Sequence, residues 1–303
     1  MLSDKKVLIT GATGQIARPV AELLVTDNEV WCAARFTDPE AKREVEELGI
    51  RTVTWDLAAR DNSMLDDDFT HVLHSAALMV TEDHEEAIRV NAEGTGLLMQ
   101  HCRNAEAFVY VSTSAVYRRQ DPEHAHKEND PLGGYASYGT GYPIGKMAAE
   151  GAVRAASCML ELPATIARMN IGYGTRGHAG LPAMFFGMMQ QGQPIPVPIG
   201  HDNWGSPIHE DDIAEQGAGP LFDIASVPTT VVNWAGNDPV STHMLCDYLG
   251  ELGGLTPEYL PSEVLFDSFV ADTTKRESLM GPCKVDWHDG VRRSIEALFQ
   301  GAI

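Results

Sequence analysis

Lys6-Val-Leu-Ile-Thr-Gly-Ala-Thr-Gly-Gln-Ile-Ala17 is the stretch on which the reading of this chain turns. Val7, Leu8 and Ile9 form a short apolar run with two β-branched residues, the composition of a strand buried on both faces of a parallel sheet. Gly11 and Gly14 interrupt it. From Gln15 to Thr26 the apolar residues Ile16, Val20, Leu23 and Leu24 recur at helical spacing. Strand, glycine turn and helix in that order offer free backbone N–H groups and a helix N-terminus, which suit a pyrophosphate. The glycines alone equally fit a plain structural turn; their place between a buried strand and an amphipathic helix is what points to a nucleotide.

Outward from that stretch, strand and helix alternate through the first half. Strands are expected at Glu29–Ala34, Thr52–Trp55, His71–His74, Phe108–Ser112 and Ala164–Arg168. Helices are expected at Pro39–Leu48, Asp83–Arg103 and Tyr142–Leu160. This alternation predicts an α/β fold, a doubly wound parallel sheet. Residues 1–171 are read as a dinucleotide-binding domain to which a strand over 229–235 returns. Residues 172–303, rich in glycine and proline over 172–207, are read as a smaller C-terminal substrate-binding lobe joined without a linker.

Composition narrows the function. The 303 residues can bury a large core, and their 44% apolar content is ordinary for a globular protein. A formal charge of −21 argues against nucleic acid and anionic membrane surfaces as partners and says little about a small-molecule substrate, since one loop can be locally positive. No apolar run reaches the length of a membrane span, and no leader-like apolar segment is seen at the N-terminus. Five scattered cysteines have neither disulfide nor metal spacing, so a reducing, cytoplasmic location is expected. No metal role is expected: the eleven histidines are dispersed, and His124-Ala-His126 sits in a charged loop, read as solvent-facing.

Tyr142 is the only one of eight tyrosines with a lysine, Lys146, four residues on. At the start of a helix the two side chains share a face, about a turn apart. A phenol titrates near 10 and is a poor acid/base at neutral pH; a nearby ammonium favours the phenolate. An ordinary surface pair has the same spacing. Val111-Ser-Thr-Ser-Ala-Val-Tyr117 ends an apolar strand in three hydroxyls, which could bond a substrate oxygen or simply cap the following turn.

Taken together these segments resemble, nearly end to end, the extended short-chain dehydrogenase/reductases, the NAD-dependent epimerase/dehydratase family, whose sheet is a Rossmann fold. Thr10-Gly-Ala-Thr-Gly-Gln-Ile-Ala17 is similar to that family's cofactor loop, with Ala17 where a third glycine is usual. Asp56-Leu57 resembles its adenine-contacting pair, His74-Ser-Ala-Ala77 the turn after the fourth strand, and Asn91-Ala-Glu-Gly-Thr95 its Asn-x-x-Gly-Thr segment. Arg168, Tyr173-Gly174, Pro207-Ile-His-Glu-Asp-Asp212 and Asn233 follow its later landmarks. The resemblance implies Tyr142 as general acid/base, Lys146 beside it on the nicotinamide ribose, and Thr113 holding the reacting oxygen. It also implies cofactor contacts from Gly11, Thr13, Gly14, Gln15, Ile16, Asp56, Leu57, Ala76, Ala77, Met169 and Ile171. Helices Asp83–Arg103 and Tyr142–Leu160 resemble those that pair in a homodimer.

Two departures bear on substrate. Relatives acting on nucleotide sugars carry an asparagine where Ile171 stands, with Asn170 one place early, and a diphosphate-binding arginine where Gly205 stands. Losing a bidentate cation to phosphate is costly. Met184 and Phe185, with Phe186, Met188 and Met189, could instead wall an apolar pocket beside Ser114 and Asn170, although the same stripe reads as core for about half of its members. The second strand ends Ala34-Arg35, with no acidic residue to bond the ribose hydroxyls and one cation for a 2′-phosphate, which favours NADP(H) over NAD(H). The leading expectation is an NADP(H)-dependent oxidoreductase interconverting carbonyl and alcohol on a small or hydrophobic substrate. The alternative is a sugar or sugar-nucleotide epimerase/dehydratase with tightly bound NAD(P). A non-catalytic dinucleotide sensor is a third reading, set against the intact Thr113, Tyr142 and Lys146.

Overall fold

The structure, a computed structural model, describes residues 1–134, 136, 139–263 and 267–301. β1 (Lys6–Thr10) lies between β2 (Glu29–Ala34) and β4 (His71–His74). β3 (Arg51–Thr54) closes one edge. On the other side follow β5 (Ala107–Thr113), the strand Ala164–Met169 and, at the far edge, Thr230–Trp234. All these pairings are parallel, giving a seven-stranded sheet among the described residues. The doubly wound parallel sheet expected from the sequence is therefore present, with Thr230–Trp234 paired to Ala164–Met169 at its far edge.

Alternation along each strand builds the two layers, because successive side chains point to opposite faces. Val7 and Ile9 join Val109, Val111, Ala167 and Val232 under the helix Ala17–Leu24. Leu8 joins Val72, Phe108, Tyr110 and Ile166 under Leu98, Met99, Ala149 and Val153. A separate core, around Phe186, Ile195, Leu249 and Trp287, serves the residues beyond 172.

Two helices differ from expectation. The first starts at Ala17 rather than Gln15: the Gln15 Nε2 donates to the Gly172 carbonyl at 2.7 Å, and the chain is still turning at Gly14, whose N–H bonds the Gly11 carbonyl. The long helix expected over Asp83–Arg103 is α-helical over His84–Ile88 and Gly94–His101, with a π turn at Arg89–Glu93 between them. Its cause is local. Asn91 reaches out to bond both the N–H and the carbonyl of Leu78 at 2.8 and 3.0 Å, while Gly94 lies so close to Leu57 that a Cβ would stand 2.6 Å from Leu57 Cδ1.

Parallel winding reverses direction at β1, so the C-terminal ends of β1 and β4 part to leave a crevice, the usual ligand position in an open α/β sheet.

Candidate active site

The crevice opens into a cavity of about 1240 Å³ that runs along the strand ends. At one end lies the glycine turn. Gly11 has φ +74°, and a Cβ there would stand 3.0 Å from the Ala76 nitrogen, so glycine is required both by conformation and by space. The opposing turn is fixed from below: Thr10 Oγ1 accepts from the N–H groups of Ser75 and Ala76, both at 3.1 Å, and bonds His74 Nδ1 at 2.7 Å. His74 Nε2 bonds Thr95 Oγ1 at 2.9 Å. Burial holds His74 far below its ordinary range, to about 3, so it serves as a neutral linker.

Gly11, Thr13, Gly14, Gln15, Ile16, Arg35, Asp56, Leu57, Ala76, Ala77, Met169 and Ile171 all line this one cavity. A dinucleotide therefore fits the residues present: a backbone-walled turn at a helix start, an apolar slot at Leu57, and Asp56 beside it. Asp56 also caps a short helical turn, accepting from the Ala58 N–H at 3.0 Å.

Thr113, Tyr142 and Lys146 line the same cavity. Thr113 ends β5 and its hydroxyl oxygen accepts from the Ala115 N–H at 3.2 Å. The capping role weighed from sequence is thus real, and it orients a hydroxyl whose own proton remains available to donate. Tyr142 and Lys146 stand on the first turns of the helix Gly141–Leu160. The Lys146 ammonium donates to the Val111 carbonyl at 2.7 Å and sits over the Tyr110 ring, 4.7 Å from its centre.

Beneath Lys146 lies a charge that sequence reasoning missed. Glu150, one turn further along, accepts from Ser112 Oγ at 2.7 Å and from Arg168 through two nitrogens at 2.9 and 2.7 Å. Both partners of that ion pair are almost wholly buried. Burial drives the Lys146 pKa down to about 7, and the Glu150 charge opposes the fall. The Lys-x-x-x-Glu spacing was available in the sequence; the convergence of Ser112 and Arg168 on it was not.

The substrate end corrects one expectation. Phe185 does not line the main cavity: it is 3% exposed, packed into the core with Phe186 and Met189, and borders only a small neighbouring pocket. On a ten-residue helix, Leu181–Gln190, consecutive residues point about 100° apart, so Met184 reaches the cavity and Phe185 turns inward. Ser114 and Asn170 line the cavity but are already engaged. Asn170 Nδ2 donates to Ser114 Oγ and to the Phe269 carbonyl, and its Oδ1 accepts from the Ser206 N–H. His178, Trp204, Asp267 and Phe269 also line it and carried no recognisable sequence signal. The Asp267 side chain is 5% exposed and pairs with Arg119, and its second oxygen has no hydrogen-bond partner among the described residues.

The two departures at Ile171 and Gly205 prove to be one packing event. A Cβ on Gly205 would stand 2.3 Å from Ile171 Cδ1. The isoleucine fills the space a longer side chain at 205 would need.

The loop before the helix holds a second correction. His126 is buried, not solvent-facing, and lies with His124 and Asp130 in one cluster.

Residues 7–216 match the model of the NAD dependent epimerase/dehydratase family. The chain belongs to that family. It is accordingly an NAD(P)-dependent enzyme of the extended short-chain dehydrogenase/reductase type. A curated relative, the trifunctional UDP-glucose 4,6-dehydratase/UDP-4-keto-6-deoxy-D-glucose 3,5-epimerase/UDP-4-keto-L-rhamnose-reductase of Arabidopsis thaliana, is 24% identical over 96% of this chain, which spans about half (47%) of that protein's length. Among solved structures, UDP-glucuronic acid 4-epimerase from Bacillus cereus with UDP-glucuronic acid and NAD has a TM-score of 0.83 at 19% identity, covering 96% of this chain and 98% of that one. UDP-glucose 4-epimerase of Thermus thermophilus with NAD has a TM-score of 0.80 at 24% identity, covering 98% and 99%. At these identities the structures establish the shared fold.

The charge under Lys146 gives the first test. Replacing Glu150 by glutamine removes the negative charge that raises the Lys146 pKa, so the ammonium is lost at lower pH. The alkaline limb of the turnover–pH profile is expected to move down relative to the parent enzyme; an unmoved limb would show that Glu150 does not act through Lys146.

Proposed function

We propose that the chain oxidises a hydroxyl-bearing carbon of a sugar or sugar-nucleotide to a ketone and then epimerises or dehydrates it, keeping its NAD(P) bound. The observation that carries this is the meeting of Thr113, Tyr142, Lys146 and the glycine turn in one cavity of a chain belonging to this family. The relatives and neighbours whose names state a substrate act on UDP sugars, which supports this reading over the net carbonyl reductase favoured from the sequence.

Gly11 to Ile16 would hold the pyrophosphate, Asp56 and Leu57 the adenine, and Lys146 the nicotinamide ribose. When bound, the nicotinamide supplies the accepting and returning of hydride. Thr113 donates its hydroxyl proton to the reacting oxygen. Tyr142 takes the substrate hydroxyl proton and later returns it, with the Lys146 ammonium favouring its phenolate form. Residues beyond 172 close the substrate end with Met184, Trp204 and Phe269.

A second reading, net reduction or oxidation of a small or hydrophobic substrate, is favoured by the substrate end itself. Ile171 occupies the space beside Gly205 that a longer, cationic side chain would need to grip a diphosphate. Incubation with UDP-sugars separates the readings. A 4-epimer or 4-keto-6-deoxy product without net NAD(P)H change supports the first, whereas stoichiometric NAD(P)H consumption with a simple carbonyl supports the second. In either case Tyr142→Phe should abolish turnover while retaining cofactor affinity; an active Phe variant removes the tyrosine from the mechanism.

We further infer a preference for NADP(H). Exposed Arg35 follows Ala34 at the end of β2, lines the cavity, and has no ion-pair partner among the described residues. Arg35→Ala is expected to weaken NADPH binding about tenfold or more, as loss of a charged hydrogen bond implies, and to leave NADH binding nearly unchanged. Equal losses for both would refute the preference.

Pairing of two copies is supported by large apolar side chains left exposed on the two helical segments that resemble a dimer interface, Ile88 and Leu97 on one and Met159 on the other. Sedimentation velocity is expected to give a dimer that Leu97→Glu dissociates; a monomeric parent chain would rule it out.

A further inference from the structure

Between β5 and the helix that carries Tyr142, the chain leaves the sheet and brings three metal-ligating side chains together. His124 Nε2 lies 2.7 Å from Asp130 Oδ2, and His126 Nδ1 lies 3.6 Å from the same oxygen. The three ligand atoms fall within 4.8 Å of one another. None of these residues lines the cofactor and substrate cavity. We propose that His124, His126 and Asp130 form a binding site for one divalent first-row metal ion of zinc-like ligand preference.

The spacing suits such an ion. Donors bonded at roughly 2.0–2.1 Å in a tetrahedral shell stand about 3.3 Å apart, between the two separations to Asp130, while the two imidazole nitrogens lie within 4.8 Å of each other. Two imidazoles and one carboxylate form a donor set that zinc and its neighbours accept, with a remaining position for water.

His126 is the independent pointer. Its side chain is 2% exposed, and Nδ1, turned toward Asp130, has no hydrogen-bond partner among the described residues. A buried polar atom left this way is costly. A metal ion would satisfy it. The ring is also held in place: it stacks on Tyr117 with centroids 4.7 Å apart and an interplanar angle of 16°. Its backbone carbonyl accepts from Asn233 Nδ2 and from the Asp272 N–H, each at 2.8 Å. Orientation of a ligating histidine by such surroundings is what a metal site needs. Asp130 in turn accepts from the Lys127 N–H at 3.2 Å.

An ion here would brace the loop rather than take part in chemistry. Further along that loop Gly133 and Gly134 both donate to the Val116 carbonyl at 3.1 Å, just beyond Thr113. The strand pair Ala125–His126 with Val270–Ala271 directly follows Phe269, which lines the cavity. The alternative, an ordinary His124–Asp130 ion pair, needs no metal and leaves His126 unsatisfied.

The chelator-treated full chain should be titrated with Zn2+ by calorimetry and with Co2+ by visible absorption, and melted with and without Zn2+. The proposal expects one ion per chain, a rise in melting temperature, and affinity reduced roughly tenfold or more in both His124→Ala and Asp130→Asn. Both substitutions lie at partly exposed positions, and both variants should keep turnover. His288→Ala, beside Asp286 on another helix, should bind as the parent does. Absence of stoichiometric binding at micromolar Zn2+, binding that survives both substitutions, or binding lost in the His288 variant would each overturn it.

Discussion

The buried carboxylate of Glu150 is the constraint on which the site depends. It joins the helix Gly141–Leu160 to the sheet at two strands, through Ser112 at the end of β5 and Arg168 near the end of Ala164–Met169. Charges this deeply buried persist only when paired and hydrogen-bonded, and removing one partner typically costs about 3–5 kcal/mol. The same pair therefore sets the depth and rotation of the helix against the strands. Tyr142 and Lys146 ride on that helix, and Thr113 follows Ser112. A single ion pair thus fixes the mutual placement of the three residues proposed to carry the chemistry, and it supplies the field that opposes loss of the Lys146 proton.

The polar network on the cofactor side works by geometry rather than charge. Thr10, His74, Thr95 and Asn91 form a chain of short hydrogen bonds with His74 neutral. Its products are a rigid turn at Ser75–Leu78 and a wall against which only glycine fits at position 11. The π turn in the following helix is part of the same construction, since it lets Asn91 point out to Leu78 while Gly94 stays against Leu57. The local departure from regular helix occurs where a side chain is needed outside the helical period.

The substrate end is built differently. Asn170 is consumed in tying Ser114, Ser206 and Phe269 together, and Ile171 occupies the volume beside Gly205. These contacts fill that end of the cavity with packing and neutral hydrogen bonds.

The sequence by itself determined the sheet, because β1 alternates between two buried faces and the strand–helix rhythm is set by local residue spacing. It also determined the glycine turn and the tyrosine–lysine pair, whose meaning lies within a few consecutive residues. Only the tertiary structure decided what depends on residues distant along the chain. It turned Phe185 into core and Met184 into cavity wall, joined Ile171 to Gly205, and converged Ser112 and Arg168 on Glu150. It likewise buried His126 beside Asp130, against a strand that arrives more than a hundred residues later. Periodicity fixes which way a side chain leaves its own element, whereas what it meets there is set by how the elements pack.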